Sequence, residues 1–153
     1  MLKKNLVSLS LISLALGCLS AQAATLPAQM SVNATQCQLG QPCPFGHDDK
    51  GIAAYPLKSD GEPHKYQCKI SVDSGVKGPV TGYLWLGNNG LDFKFQNREI
   101  NTENPKPTFD VFTITPEIGK NKDIEIRGAA ATTFDALMDK KYVPGTFTCE
   151  TLN

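Results

Sequence analysis

Cysteine placement constrains this 153-residue chain more than any other feature of its sequence. Of its five cysteines, four follow the N-terminal leader, at Cys37, Cys43, Cys68 and Cys149. An even set of cysteines in an oxidising compartment favours disulfide bonds over metal thiolates, and three pairings are possible. A bridge between Cys37 and Cys43 is favoured because the segment between them holds a glycine and a proline and can turn back on itself. Cys68 then pairs with Cys149, and this bridge, which closes the longer loop, is expected to stabilise the fold more.

The first 23 residues have the composition of an export signal. Lys3 and Lys4 form a charged start, residues 6–19 form an apolar run, and Ala21-Gln22-Ala23 is a small-x-small cleavage motif. We expect cleavage between Ala23 and Ala24, which leaves residues 24–153 as the mature chain. The apolar run is shorter than the roughly 20 residues that a membrane-spanning helix needs. The sequence therefore predicts export without a transmembrane span, into the periplasm or onward to the extracellular medium.

A second processing route is suggested by Cys18, which lies inside the leader. The preceding Ala15-Leu16-Gly17 is a weak form of the bacterial lipoprotein signal, which usually has leucine three places before the cysteine. The alanine motif that ends at Ala23 fits the processing pattern better, so cleavage there is favoured over lipidation of Cys18. Either route removes Cys18 from the set of disulfide partners.

The size and charge of the chain restrict its class and its partners. Residues 24–153 suit a single domain that can build a core of its own. Lys and Arg together number 15, as do Asp and Glu. A chain this close to neutral has no basic surplus for nucleic acid and no charged block for an anionic membrane surface. Neither is therefore expected as a partner.

Apolar residues alternate with polar ones in several short windows, which is the pattern of half-buried strands. The clearest window is residues 66–72, where Tyr66, Cys68, Ile70 and Val72 share one face. Similar alternation occurs at residues 30–34, 91–95 and 124–126, and residues 80–86 and 109–114 are apolar or aromatic on both faces. Turn-forming residues separate these windows, and Gly87-Asn88-Asn89-Gly90 is typical of a hairpin connection. We expect an all-β sandwich of six or seven short antiparallel strands.

Two segments depart from the strand pattern. Residues 132–141 fit one short connecting helix, with Thr132 or Thr133 as its cap and Phe134, Leu137 and Met138 on one face. Residues 40–64 are rich in proline and glycine, show little periodicity apart from residues 52–57, and are expected to be the longest irregular segment. Irregular segments often carry function, so this one is a candidate partner surface.

The C-terminal window resembles part of a known fold. Residues 144–150, Pro-Gly-Thr-Phe-Thr-Cys-Glu, are similar to the F-strand of immunoglobulin-type domains, which has Gly-x-Tyr-x-Cys. Cys68 and Trp85 stand where that family has an earlier cysteine and a tryptophan. The resemblance implies an immunoglobulin-like sandwich with a bridge from Cys68 to Cys149. Phe147 replaces the family's tyrosine, and no residues follow that could form the family's last strand.

Without that last strand, one sheet of the expected sandwich would have an unpaired edge, which could be completed in two ways. A second chain could add a strand, as pilus subunits and their chaperones do. The alternative, which we favour, is that residues 30–35 of the same chain fill the gap. The C-terminus also lacks the penultimate-tyrosine pattern of pilus subunits.

Few residues in the sequence suggest chemistry. The two histidines are His47 and His64. His47, Asp48 and Asp49 could hold a divalent cation if His64 folded back to join them, although consecutive residues point to opposite sides of an extended chain. A solvated polar loop is the favoured interpretation. The sequence contains no Gly-x-Ser-x-Gly, Ser-x-x-Lys or phosphate-binding motif, and no cofactor is expected.

An aromatic pair on a predicted strand offers a binding hypothesis. Tyr83 and Trp85 point to one face of that strand, and Leu84 and Leu86 to the other. An exposed pair would recognise a protein or a carbohydrate, whereas burial is favoured for aromatics on a central strand.

We expect an exported bacterial binding protein rather than an enzyme, either a secreted effector or an adhesin-like module. The alternatives are an envelope-assembly or accessory factor in the periplasm, which would be a lipoprotein if Cys18 is lipidated, and a small secreted hydrolase or metal-binding protein.

Overall fold

Two β-sheets and one short helix make up the described part of the chain. The computed structural model describes residues 34–47, 51–58, 60–87, 92–103, 108–116 and 124–152, with the backbone alone for 92–95. The strands are β1 (Ala34–Gln36), β2 (Cys43–Phe45), β3 (Ile52–Pro56), β4 (His64–Val72), β5 (Val80–Gly87), β6 (Asp92–Ile100), β7 (Phe112–Ile114), β8 (Glu125–Ala131) and β9 (Gly145–Thr151). The helix is α1 (Phe134–Met138). The all-β fold predicted from alternation is therefore confirmed, but the described residues hold nine strands rather than the six or seven expected.

The strands form a five-stranded sheet in the order β1-β3-β8-β5-β6 and a four-stranded sheet in the order β2-β9-β4-β7. Neighbouring strands pair antiparallel except β1 and β3, which are parallel. Two strands, β2 and β3, lie inside the segment predicted to be irregular, which corrects that prediction. Their paired partners, β9 and β8, are distant in sequence, so local pattern alone could not reveal them. Residues 30–33 lie outside the described residues, and Ala34–Gln36 lies at an edge of the five-stranded sheet.

The core forms where the two sheets face each other. On β5 the inward face includes Gly82, where a Cβ would lie 3.2 Å from the side chain of Ile70 on the opposite sheet. On β8 it includes Gly128, which lies opposite Leu84 and whose missing Cβ leaves room for the Phe147 ring. Leu84 and Leu86 continue the inward face of β5 and are buried. Sandwich-like packing thus follows directly from the period-two alternation.

Helix α1 is shorter than its sequence pattern suggests. The side-chain oxygen of Thr133 accepts a hydrogen bond from the Ala136 N–H at 3.0 Å, so Thr133 is the N-cap. Leu137 is buried against the sheet. Lys140 has a φ of 59°, a left-handed conformation that ends the helix before the predicted Lys141.

Both favoured disulfide bridges are present. Cys37 is bonded to Cys43, with 5.7 Å between Cα atoms, and Cys68 to Cys149, with 4.1 Å. Cys68 and Cys149 lie directly opposite each other on β4 and β9, within one sheet. The corresponding bridge of an immunoglobulin domain joins its two sheets. The immunoglobulin resemblance therefore identified the bonded pair but not this arrangement of it.

Tyr55 links the short disulfide loop to the four-stranded sheet. Its ring lies in the core, 5.9 Å from the Phe147 ring between centroids. Its hydroxyl donates to the carbonyl oxygens of Gln41 and Phe147, each 2.6 Å away. Burial raises the pKa of Tyr55 to about 12. The hydroxyl therefore stays protonated and bonded well above neutral pH.

Replacing Tyr55 by Phe should lower the free energy of unfolding by about 1 to 2 kcal/mol, because the buried Phe147 carbonyl and the partly buried Gln41 carbonyl lose the donor that they share. The raised pKa also predicts alkaline instability. The unfolded tyrosine ionises near pH 10 while the folded one resists ionisation, so Tyr55 favours folding fully below pH 10 and loses that effect as the pH rises towards 12. Urea unfolding at pH 7 and at pH 11 measures both effects. A fall in stability from pH 7 to 11 that is equally steep in the Phe variant would contradict this role.

Candidate functional site

The outer face of the four-stranded sheet carries an open groove. Its floor is made by β4 and β9, whose outward side chains form three cross-strand pairs: Gln67 with Glu150, Lys69 with Thr148, and Ser71 with Thr146. These positions alternate with buried ones, so the same pattern that builds the core also builds the floor. The groove has a volume of about 540 Å³, within the usual range for ligand sites of roughly 300 to 1,000 Å³.

One wall of the groove is the loop closed by the Cys37–Cys43 bridge. Gly40 and Pro42 line the groove from this loop. The Gly40 N–H donates to the Cys149 carbonyl at 2.7 Å, and Tyr55 holds the same loop through Gln41. The Cys37–Cys43 bridge, the hydrogen bond from Gly40 to Cys149 and the hydrogen bond from Tyr55 to Gln41 together hold this wall in place.

The opposite wall is formed by the segment that leads to β7. Thr108 lines the groove and forms a β-bridge with Lys69. The neighbouring Phe109 N–H donates to the Cys68 carbonyl at 3.0 Å, and its ring is buried in the core. The Cys149 and Cys68 carbonyls, one on each floor strand, therefore already accept backbone hydrogen bonds from the two walls of the groove.

The groove lining is polar and carries one charge of each sign among the described residues. Hydroxyl groups come from Thr108, Thr146, Thr148 and Ser71, and an amide from Gln67. Lys69 and Glu150 are exposed, and neither forms an ion pair within the described residues. In the part of the chain that the structure describes, no aromatic side chain lines the groove. This surface can exchange hydrogen bonds with a polar ligand.

The structure separates the residues considered for a metal site. His47 Nε2 lies 3.1 Å from an Asp73 carboxylate oxygen, beyond the last residue of β4. His64 begins β4, so the strand rise puts the two histidines roughly 25 Å or more apart, too far for His64 to share a cation with His47. Asp48 and Asp49 lie outside the described residues. Across the part of the chain that the structure describes, no three His, Cys, Asp or Glu residues cluster as metal ligands.

His64 instead holds a loop against the sheet. Its Nε2 lies 2.7 Å from an Asp60 carboxylate oxygen, and the Glu62 N–H donates to the same oxygen at 3.1 Å. The hydrogen bond with His64, followed by that from Glu62, lowers the pKa of Asp60 below its ordinary value. These contacts explain a polar cluster at the start of β4 without assigning it chemistry.

Tyr83 and Trp85 are not available as an exposed recognition pair. Trp85 is fully buried and Tyr83 is 3% exposed. Both point away from the sheet interface, because Gly82 and Leu84 occupy the inward positions. The Tyr83 ring contacts Phe134 next to the start of helix α1, with 6.1 Å between centroids. Trp85 therefore does not pack on the Cys68–Cys149 bridge, as it would in an immunoglobulin domain.

The groove was not predicted from the sequence, although the alternation that marks its floor residues is present there. The alternation that predicted strand β4 also marks Gln67, Lys69 and Ser71 as outward residues. The C-terminal window alternates in the same way, with Thr148 and Glu150 outward. Only the pairing of β4 with β9 places these two sets side by side.

The chain matches no protein-family model, no curated protein and no solved structure. What the structure establishes is an all-β sandwich with two disulfide bridges, a kind of cross-link typical of oxidising compartments. In the described ranges no helix is both long and apolar enough to span a membrane.

Proposed function

We propose that this chain is an exported binding protein that holds a polar partner in the groove over β4 and β9. The supporting observation is the contrast between the two sheets. The outer face of the five-stranded sheet is buried at Tyr83, Trp85, Arg127 and Ala129, whereas the four-stranded sheet leaves a polar groove of about 540 Å³ open to solvent. Export rests on the signal-like leader that ends at Ala23 and on the two disulfide bridges.

Binding rather than catalysis is favoured by the chemistry of the groove lining. Hydrolysis of a glycoside ordinarily needs two carboxylates flanking the bond, and among the described residues Glu150 is the single carboxylate that lines the groove. Within the same residues no histidine or cysteine thiol lines it either, since Cys68 is bonded to Cys149. The proposed partner is a polysaccharide or protein of the cell envelope.

The proposal is tested by filling the groove. The protein, purified from the cells that export it, should bind saturably to sonicated envelopes of the producing bacterium in a sedimentation assay. Thr148→Arg places a long charged side chain on the floor and should weaken binding at least about tenfold. Thr113→Arg puts the same side chain on exposed Thr113 of strand β7, outside the groove, and should leave binding unchanged.

Three results would overturn the proposal. These are wild-type protein that does not sediment with envelopes, equal loss of binding in both arginine variants, and unchanged binding in Thr148→Arg. Circular dichroism and thermal unfolding of each variant establish that any loss comes from a folded protein.

A further inference from the structure

We infer that the groove recognises an acidic sugar, a hexuronate residue within a short oligosaccharide. This inference rests on the proposed function and concerns the same groove. It is carried by Lys69 and Glu150, charges of opposite sign that form no ion pair with any described residue, and by the hydroxyl and amide groups around them. A hexuronate presents a carboxylate on one side of its ring and hydroxyls on the other.

The strand positions of these two residues suit one sugar ring between their side chains. Lys69 pairs directly with Thr148, so Glu150 is its diagonal neighbour across the strands. Diagonal neighbours in an antiparallel pair lie about 7 Å apart. The Lys69 ammonium can therefore pair with the sugar carboxylate while the Glu150 carboxylate accepts bonds from hydroxyls at the far side of the ring. Gln67 and Thr148 can donate and accept between them.

The form of the groove favours a short glycan chain over a peptide. An extended peptide is usually recognised by adding a strand to a free sheet edge or by filling apolar pockets. Here the strand edges are occupied by the Gly40 and Phe109 N–H groups, and the described residues place no large apolar side chain on the floor. From Gln67 to Ser71 the floor runs roughly 14 Å, which accommodates more than one sugar ring.

The test uses trigalacturonate as the acidic probe and maltotriose as a neutral trisaccharide of the same length. Nuclear magnetic resonance titration of the exported, ¹⁵N-labelled protein should give millimolar dissociation constants, because an open groove lined by short side chains and without an aromatic platform binds weakly. Trigalacturonate should shift the amides of β4 and β9 and bind about fivefold more tightly than maltotriose, which corresponds to one partly exposed charge pair.

Variants separate recognition from general charge attraction. Lys69→Gln should abolish the preference, so that trigalacturonate and maltotriose bind with equal affinity. Lys77→Gln removes an exposed lysine that does not line the groove and should keep the preference. Equal affinity of the wild type for both sugars, shifts elsewhere on the protein, equal effects of the two lysine variants, or no binding at 10 mM sugar (roughly the upper limit of weak specific binding) would each overturn the inference.

The two proposals can fail separately. If envelopes bind the wild type but not Thr148→Arg, and trigalacturonate does not compete, the acidic-sugar inference fails while the binding function stands. If envelopes do not bind the wild type but trigalacturonate shifts the groove amides, the ligand class stands and the envelope partner is wrong.

Discussion

Replacing Cys68 and Cys149 together by alanine should lower the free energy of unfolding by about 4 kcal/mol, a large share of the roughly 5 to 15 kcal/mol of a typical domain. The bridge joins residues separated by 81 positions, so its loss releases a long loop in the unfolded chain. It also joins the two strands that form the groove floor. Both cysteines are fully buried, so small apolar replacements leave cavities that add to the loss.

Chemical denaturation of the disulfide-bonded protein measures this effect, and the second bridge supplies the comparison. Alanine at both Cys37 and Cys43 should cost less, about 2 to 3 kcal/mol, because this bridge spans only 6 positions in sequence. That variant should remain folded with a loosened groove wall. If the short bridge proved the more stabilising of the two, the length of the closed loop would not explain how much each bridge stabilises the fold.

Replacing Gly128 by alanine should cost about 3 kcal/mol, because the added methyl group has no space. A Cβ at this position would overlap the Phe147 ring. That ring is held on two sides, by Tyr55 at 5.9 Å and by Phe109 at 6.1 Å between ring centroids. Since the ring cannot move away freely, the sheets would have to separate locally.

A matched glycine and a second-site change test this explanation. Gly82→Ala lies on the same inward face, on the adjacent strand β5, but its Cβ would lie 3.2 Å from Ile70 and Ile100 and 3.3 Å from the Phe109 ring, compared with 2.5 Å from two atoms of the Phe147 ring at Gly128. It should cost clearly less than Gly128→Ala. Phe147→Leu should recover part of the loss in the Gly128→Ala background, by roughly 1 kcal/mol of coupling in a double-mutant cycle. Purely additive effects of the two changes would show that the ring is not the cause.

Strand β4 shows what a local sequence pattern can predict. Its alternation of Tyr66, Cys68 and Ile70 with polar residues predicted a half-buried strand, and the structure has that strand. Strand β5 was also predicted, with both faces apolar, and it is buried on both. Strand β2 was missed because three residues with a central proline carry little period-two signal of their own, whereas the periodicity at residues 52–57 falls on strand β3.

Trp85 shows that a local pattern does not predict whether a side chain is exposed. The alternation placed it opposite Leu84, but exposure depends on what lies over that face. The structure buries both residues, so neither can act as an open recognition surface. The signal leader, its cleavage after Ala23 and the route of export stay predictions of the sequence.

The sequence by itself determined the fold class and the favoured disulfide pairs, because period-two alternation and cysteine spacing are local properties of a chain in which side-chain direction alternates. The predicted Cys68–Cys149 bridge brought β4 and β9 near each other, but tertiary structure alone decided that they lie side by side in one sheet, and that pairing forms the groove. Lys69 and Glu150 are far apart in the chain, and each is an ordinary surface charge in the sequence. They become one candidate site because strand pairing between distant segments depends on the packing of the whole core, which no local pattern specifies.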